Sequence, residues 1–460
     1  MNQLLIRGGC VVDPANGIEA IQDVLIHDGK IQQIGELERE CNSSRAAVQL
    51  PLNPAVKVID ATGLIVTPGL IDMHVHLREP GFEHKETIMS GTRAAAVGGF
   101  TSVASMANTS PVVDSPEVIE FIKSQTHKYG SANVFPLASI TKNLAGEELT
   151  DVPSLLAAGA IGMSDDGKTV MNAELMRRVL SLSAERDFPI MVHCEEHNLN
   201  AGTVMNLGET SRKLNLPGSA NAAEDIIVAR DIMLAELTGG HVHILHVSTA
   251  GAVELVRWGK RRGVHVTAEA TPHHFTLTDI EIEKHGVNAK MHPPLRTQTD
   301  VDAVIEGLCD GTIDAIATDH APHAPFEKAQ GMLDSPPGIV GLETCVPLVF
   351  SQLVHTGRLT VSEAIAKLTC VPAQILRIER GTLSIGATAD LTLIHPDKVA
   401  RVDATRFASK SRNTPFDNWE LKGWAVMTIR NGVVVQSTVE KKKENPYGAT
   451  SNTKMATRDL

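Results

Sequence analysis

Leu64-Ile-Val-Thr-Pro-Gly-Leu-Ile-Asp-Met-His-Val-His76 is an apolar run that closes on two histidines, His74 and His76. Three later runs end in the same way. Phe188-Pro-Ile-Met-Val-His193 and His243-Ile-Leu-His246 close on histidine, and Ile313-Asp-Ala-Ile-Ala-Thr-Asp319 closes on aspartate. An apolar run of this length, bounded by polar or turn residues, reads as a strand of a buried parallel sheet. In a (β/α)8 barrel the ends of such strands ring one mouth, where the chemistry sits. Residues far apart in the chain can therefore meet there around a metal. His-x-His by itself carries little, because alternation puts both rings on one face of a strand for many reasons. Further candidates at equivalent strand ends are hard to explain as packing, and they point to a metal-dependent hydrolase.

The rest of the chain fits a TIM barrel with a small accessory domain. From about 66 to 375, apolar strands alternate with helical stretches, which predicts a parallel sheet. Ser115-Pro-Glu-Val-Ile-Glu-Phe-Ile-Lys123 reads as a capped helix opening, and 225–237 and 300–308 carry helical apolar spacing. A barrel is preferred to an open sheet because the candidate ligands come from too many successive strand ends for one crevice. Residues 1–65 and 376–436 are β in character, with hairpin turns at Asp28-Gly29 and Asn431-Gly432. The two segments are expected to join into one small β-sandwich domain, with the barrel, 66–375, inserted between them. The tail, 437–460, has no apolar period and is expected to be disordered.

Composition narrows the function classes. Of 460 residues, 42% are hydrophobic and 21% charged, the balance of a soluble globular protein. Aromatics make up only 3%, so the core must be aliphatic. A net charge of −12 argues against a general affinity for nucleic acid or anionic membrane. The six cysteines show no C-x-x-C spacing, which fits reduced thiols in a cytoplasmic protein. Cys194, next to His193, reads as a small buried neighbour. Neither a signal peptide nor a membrane span is expected.

Arg78 lies one alternation beyond His76, so that a guanidinium at the mouth could grip a carboxylate bidentately. From here the chain resembles the class I dihydroorotases of the amidohydrolase superfamily. The resemblance is carried by Asp72-Met-His-Val-His-Leu-Arg-Glu-Pro-Gly81, Gly98-Gly-Phe-Thr-Ser-Val103, Met106-Ala-Asn-Thr109, Ser164-Asp-Asp-Gly167 and Val192-His-Cys-Glu195. It continues through Leu245-His-Val-Ser-Thr249, Thr271-Pro-His-His274, Met291-His-Pro-Pro-Leu-Arg296, Thr318-Asp-His-Ala-Pro-His323 and Ser411-Arg-Asn-Thr-Pro-Phe416. Motif order is intact to about residue 436.

The resemblance implies two zinc ions. His74, His76 and Asp319 would hold one, His193 and His246 the other, and Asp166 would bridge them. Imidazole and carboxylate suit zinc, with cobalt and manganese left open. Asp165 is expected in a turn or behind the site. His76, Leu77, Arg78, Asn108, His292 and His323 are implied substrate contacts, with Arg78, Asn108 and His323 on the α-carboxylate. Backbone groups of Pro337 and Gly338 would meet the ring amide. His292 departs from the family, which usually carries asparagine there. His273 and His274 are read as packing.

The implied reaction is the reversible cyclisation of N-carbamoyl-L-aspartate to L-dihydroorotate in pyrimidine biosynthesis, with Asp319 moving the proton. Hydantoinases, dihydropyrimidinases and allantoinases are the enzymatic alternative. Hydantoinases and allantoinases place a carboxylated lysine at the bridging position, and Lys168 would need a register shift to take it. A catalytically silent scaffold assembling with aspartate transcarbamoylase is a third reading, opposed by the retention of all the expected ligand positions. A homodimer and a complex of active enzyme with aspartate transcarbamoylase are both compatible with the sequence. Residues 327–339, rich in glycine and proline, form a candidate active-site loop.

Overall fold

The computed structural model describes residues 3–36 and 56–439. The β-type runs at the two ends of the chain form a single eight-stranded sheet. Its N-terminal members are Gln3–Asp13, Ile18–His27, Lys30–Gly35, Lys57–Asp60 and Ile65–Pro68; Leu391–Arg401, Glu420–Arg430 and Val433–Ser437 come from the other end. The halves are stitched where Ile65–Pro68 pairs antiparallel with Leu391–Ile394.

Both expected hairpin turns are present, with Asp28, Gly29, Asn431 and Gly432 all at positive φ. The turns pack on one another. A Cβ on Gly432 would lie 2.7 Å from the Cα of Gly29, so this approach tolerates only glycine. Ser437 still belongs to a strand, later than the expected start of the tail; 440–460 lie outside the described residues.

The middle of the chain alternates strand and helix as expected. Leu70–Val75, Phe100–Ser105 and Asn133–Pro136 pair in parallel, as do Ile190–Val192, Val242–Ile244, Val266–Ala270 and Ala315–Ile316. Single parallel bridges continue these ladders at Ala138–Met163, Met163–Ile190 and Val75–His320. Leu70–Val75, Phe100–Ser105, Ile190–Val192 and Val242–Ile244 are buried along their length, as expected where helices cover one face and other strands the other.

The expected helices are somewhat longer than their apolar periods. The 225–237 stretch is part of Ala222–Thr238, and 300–308 part of Gln298–Asp310. The latter opens with the Asp300 carboxylate accepting from both the backbone N–H and the hydroxyl of Thr297, which ties down the first turn. Pro116–Tyr129 starts with proline in its first turn, but the Ser115 side chain makes no cap bond. Aliphatic side chains fill the interior; Phe100 and Phe350 are among its few large rings. The strand ends that this core fixes carry the residues described next.

Candidate active site

His74 leaves the end of Leu70–Val75, with His76 one alternation beyond. His193 follows Ile190–Val192, His246 lies two residues past Val242–Ile244, and Asp319 lies three past Ala315–Ile316. Asp166 comes from the turn after Met163. All six are buried and converge on one point.

Asp166 lies between the histidine pairs. Its Oδ1 is 3.6 Å from His74 Nε2, 3.6 Å from His193 Nδ1 and 3.5 Å from His246 Nε2, while Oδ2 is 3.3 Å from His76 Nε2. Asp319 Oδ1 faces His76 Nε2 at 3.0 Å and His74 Nε2 at 3.5 Å. His246 (φ 34°), Asp319 (φ 45°) and Arg78 (φ 63°) adopt left-handed backbone. Such conformations cost about 1–3 kcal/mol each in side-chain-bearing residues and cluster at functional sites.

These donors fit a divalent metal. Within the described residues His74 Nε2 is buried without a hydrogen-bond partner, although four imidazoles and two carboxylates converge there. Nitrogen and oxygen donors at this spacing suit zinc and its neighbours. The electrostatics agree. Burial opposes charge on His74, yet Asp319, Asp166 and Glu269 outweigh it and push the imidazole well above its usual range. His193 is likewise pushed up to about 10 against burial, chiefly by Asp166 and Glu195. Asp166 and Asp319 are held well below the carboxylate range, burial being outweighed by the surrounding histidines. Buried negative charge thus faces the point where a cation would be held, while burial and the Arg78 guanidinium hold the His76 imidazole below its usual range.

The residues behind the ligands are ones the sequence reading passed over. Glu269 Oε1 accepts from His74 Nδ1 at 2.7 Å; burial is outweighed by His74 and His243, which bring Glu269 down to about 2. Asp72 accepts from the backbone N–H of His74 and from both the N–H and hydroxyl of Thr318, tying two strand ends together. Asp72 opens one of the quoted motifs but drew notice only for the histidines after it, and the one signal for Glu269 was a charged residue inside an apolar run.

The expected substrate contacts divide. Arg78 donates through Nε to Pro322 O at 3.3 Å, and its Nη2 lies 3.5 Å from His323 Nε2; burial pushes the guanidinium down to about 10. His323 donates from Nε2 to Pro337 O at 2.9 Å, so that carbonyl is engaged within the chain. Gly338 donates its N–H to Lys290 O, and a Cβ there would strike Ala321 O at 2.5 Å. Asn413, from the Ser411-Arg-Asn motif, clamps this corner by donating to both Ala321 O and Gly338 O.

Asn108 accepts from His76 Nδ1 at 2.9 Å and donates to Asp166 O at 3.2 Å, which orients two ligands. Leu77 is buried in the core and offers only its backbone. His292 turns its Nε2 to Glu195 Oε2 at 2.5 Å, and its ring stacks on His193 at 5.2 Å. The asparagine-to-histidine departure therefore acts through Glu195, which also accepts from His193 Nε2 at 3.0 Å.

Asp165 accepts from the Ile140 and Thr141 backbone, Lys168 is exposed outside the cluster, and Cys194 is buried without facing it. His274 bonds Thr271 and Pro293 O, as a packing residue would.

Comparison with known proteins agrees with this geometry. Residues 63–252 match the family described as dihydro-orotase-like, and 293–436 match the amidohydrolase family. A dihydroorotase of Pelotomaculum thermopropionicum is 53% identical over 433 residues, covering 94% of this chain and 98% of that protein. One from Geobacter sp. is 49% identical, over 94% and 99%. Among solved structures, the L-hydantoinase of Arthrobacter aurescens superposes with a TM-score of 0.83 at 24% identity, over 96% and 97% of the two chains. That likeness establishes the amidohydrolase fold, whereas the sequence matches are far closer. The chain belongs to the dihydroorotase family of cyclic amidohydrolases.

Proposed function

We propose that this chain interconverts N-carbamoyl-L-aspartate and L-dihydroorotate at a site holding two zinc ions. The observation that carries this reading is the Asp166 carboxylate, set between His74 and His76 on one side and His193 and His246 on the other. That an aspartate takes this place while Lys168 faces solvent favours a dihydroorotase over a hydantoinase. The parallel bridges from Val75 to His320 and through Met163 support a closed barrel over 66–375. The mixed core of Leu4, Ile26, Leu391 and Ile429 supports one composite β domain from 1–65 and 376–436, built on the single sheet rather than on two.

Divalent ions held by these residues would lower the pKa of a water from 15.7 to about 7 and polarise the ring carbonyl. The chain's own groups do the rest. In ring opening, water oxygen bonds to the carbonyl carbon and the carbon–nitrogen bond breaks. Asp319 accepts the water's proton and delivers it to the leaving nitrogen; ring closure reverses each step. Arg78, with His323 beside it, holds the α-carboxylate and so fixes which ring face meets the water. Asn108 keeps the His76 ring in place.

Purified protein should hydrolyse dihydroorotate, lose that activity on chelation and regain it with zinc, at close to two zinc per chain. Dihydrouracil, which lacks the carboxylate, should be a poor substrate. Equal turnover of dihydrouracil or hydantoin would remove the dihydroorotase assignment. Arg78→Ala should raise KM for dihydroorotate about 100-fold, the loss of a bidentate charge-assisted contact, with a smaller effect on kcat. An unchanged KM would place the carboxylate elsewhere.

A further inference from the structure

A line of polar side chains runs through the barrel interior away from the mouth, and the reaction just described does not use it. His241 and His243 flank the strand residue Val242, and Thr267 and Glu269 alternate along Val266–Ala270. His241 Nε2 lies 2.8 Å from Thr267 Oγ1, Thr267 Oγ1 lies 2.8 Å from His243 Nδ1, and His243 Nε2 lies 3.2 Å from Glu269 Oε2. The other oxygen of Glu269 meets His74 Nδ1 at 2.7 Å. At the far end the exposed ring of His265 stacks on His241 at 4.0 Å, within 8° of parallel.

With His243 uncharged, the direction of every bond follows. An ionised carboxylate only accepts, so both His74 Nδ1 and His243 Nε2 must carry protons. A neutral His243 then has a bare Nδ1, which must accept from the Thr267 hydroxyl. That hydroxyl has a single proton, now used, so His241 Nε2 must donate to it. His241 Nδ1 is left bare, and it is indeed buried without a partner among the described residues. Reversing any one bond would leave two donors or two lone pairs facing each other in the interior, where an unmade hydrogen bond costs about 1–3 kcal/mol.

We infer that His243, Thr267 and His241 are positioning residues: acting through Glu269, they lock His74 in the Nδ1–H tautomer, with its Nε2 lone pair presented to a divalent cation. Carboxylates behind metal-bound histidines commonly set ring orientation and basicity, and their loss costs about 10–100-fold in metal affinity. Here the carboxylate is itself oriented by a column that starts at the opposite end of the barrel. Without it, Glu269 could turn its second oxygen away from His243 and loosen its hold on His74. The inference rests on His74 being a metal ligand.

The test is zinc affinity, measured on the full chain by competition with a chelator. Thr267→Val keeps the side-chain volume and removes the hydroxyl; it should weaken binding about 10-fold. Thr267→Ser, which restores the hydroxyl, should bind as the unaltered protein does. A packing role alone would favour valine over serine, the opposite order. Equal affinity in all three overturns the inference. The tautomers can also be read directly from ring nitrogen shifts in 15N-histidine-labelled protein with no substitution. His243 and His241 should each carry the proton on Nε2, and a proton on His243 Nδ1 overturns the inference even if the valine variant does not fold. Unaltered protein that binds no zinc would instead sink the metal reading, a separate outcome.

Discussion

Asp319→Asn should lower kcat for dihydroorotate hydrolysis by about 10²–10⁴-fold while the protein still binds metal, the range expected when a positioned proton acceptor is lost. The substitution keeps the volume and one oxygen near His76 Nε2, 3.0 Å from the present carboxylate. It removes the second ionised oxygen that can hold a proton between the attacking water and the leaving nitrogen. The environment makes Asp319 suited to this transfer. It is buried beside His74 and His76, whose rings hold its carboxylate below the usual range despite desolvation, and its oxygen faces the point where the other candidate ligands converge. Its left-handed backbone (φ 45°) turns the side chain inward from the strand end, and asparagine is among the residues that tolerate this conformation. The variant therefore separates chemistry from folding. KM should change little, because Arg78 and His323 are untouched. Near-normal kcat with metal content intact would show that another group moves the proton.

The contrast between Asp319 and His292 shows what could be read in the sequence. Asp319, His74, His76, His193 and His246 stand at the ends of apolar runs, and a parallel strand sends its terminal residues to a common mouth, so their meeting followed from local pattern alone. Asp166 needed more, since Asp165 and Lys168 lie beside it; only the backbone of the turn decides that Asp165 faces Ile140 and Thr141 and that Lys168 faces solvent. His292 was marked by its departure from the family motif and expected to touch substrate. Its ring is claimed by Glu195, a partner 97 positions away that no local period reveals. Asn108 is similar, its amide divided between His76 and Asp166. Glu269 and His243 were hidden for the opposite reason. Within a strand a charged residue usually signals an exposed face, and only the closed packing around it makes that residue an interior one.

Asp166→Asn should have the largest effect on metal content. Its Oδ1 lies within 3.6 Å of ring nitrogens of His74, His193 and His246, and its Oδ2 lies 3.3 Å from His76 Nε2, so the carboxylate faces both histidine pairs. The amide keeps the shape and removes the charge. On the His74 and His76 side Asp319 remains at 3.0–3.5 Å, so one ion can still be held there. On the His193 and His246 side, among the described residues, no carboxylate replaces it in front of the rings, because Glu195 lies against His193 Nε2, the nitrogen facing away from Asp166. The variant should retain at most about one zinc per chain after dialysis, and turnover should fall by more than about 10³-fold if, as proposed, the site works with two ions. Stability gives a second reading of the same loss. A ligand at 1,000 times its Kd stabilises the folded state by about 4.1 kcal/mol per site, so added zinc should raise the Tm of the asparagine variant less than that of the unaltered chain. Two ions retained with an undiminished Tm shift would mean that the sites do not depend on Asp166. The loss of one ion and of most of the shift would identify it as the residue that makes one site out of two histidine pairs.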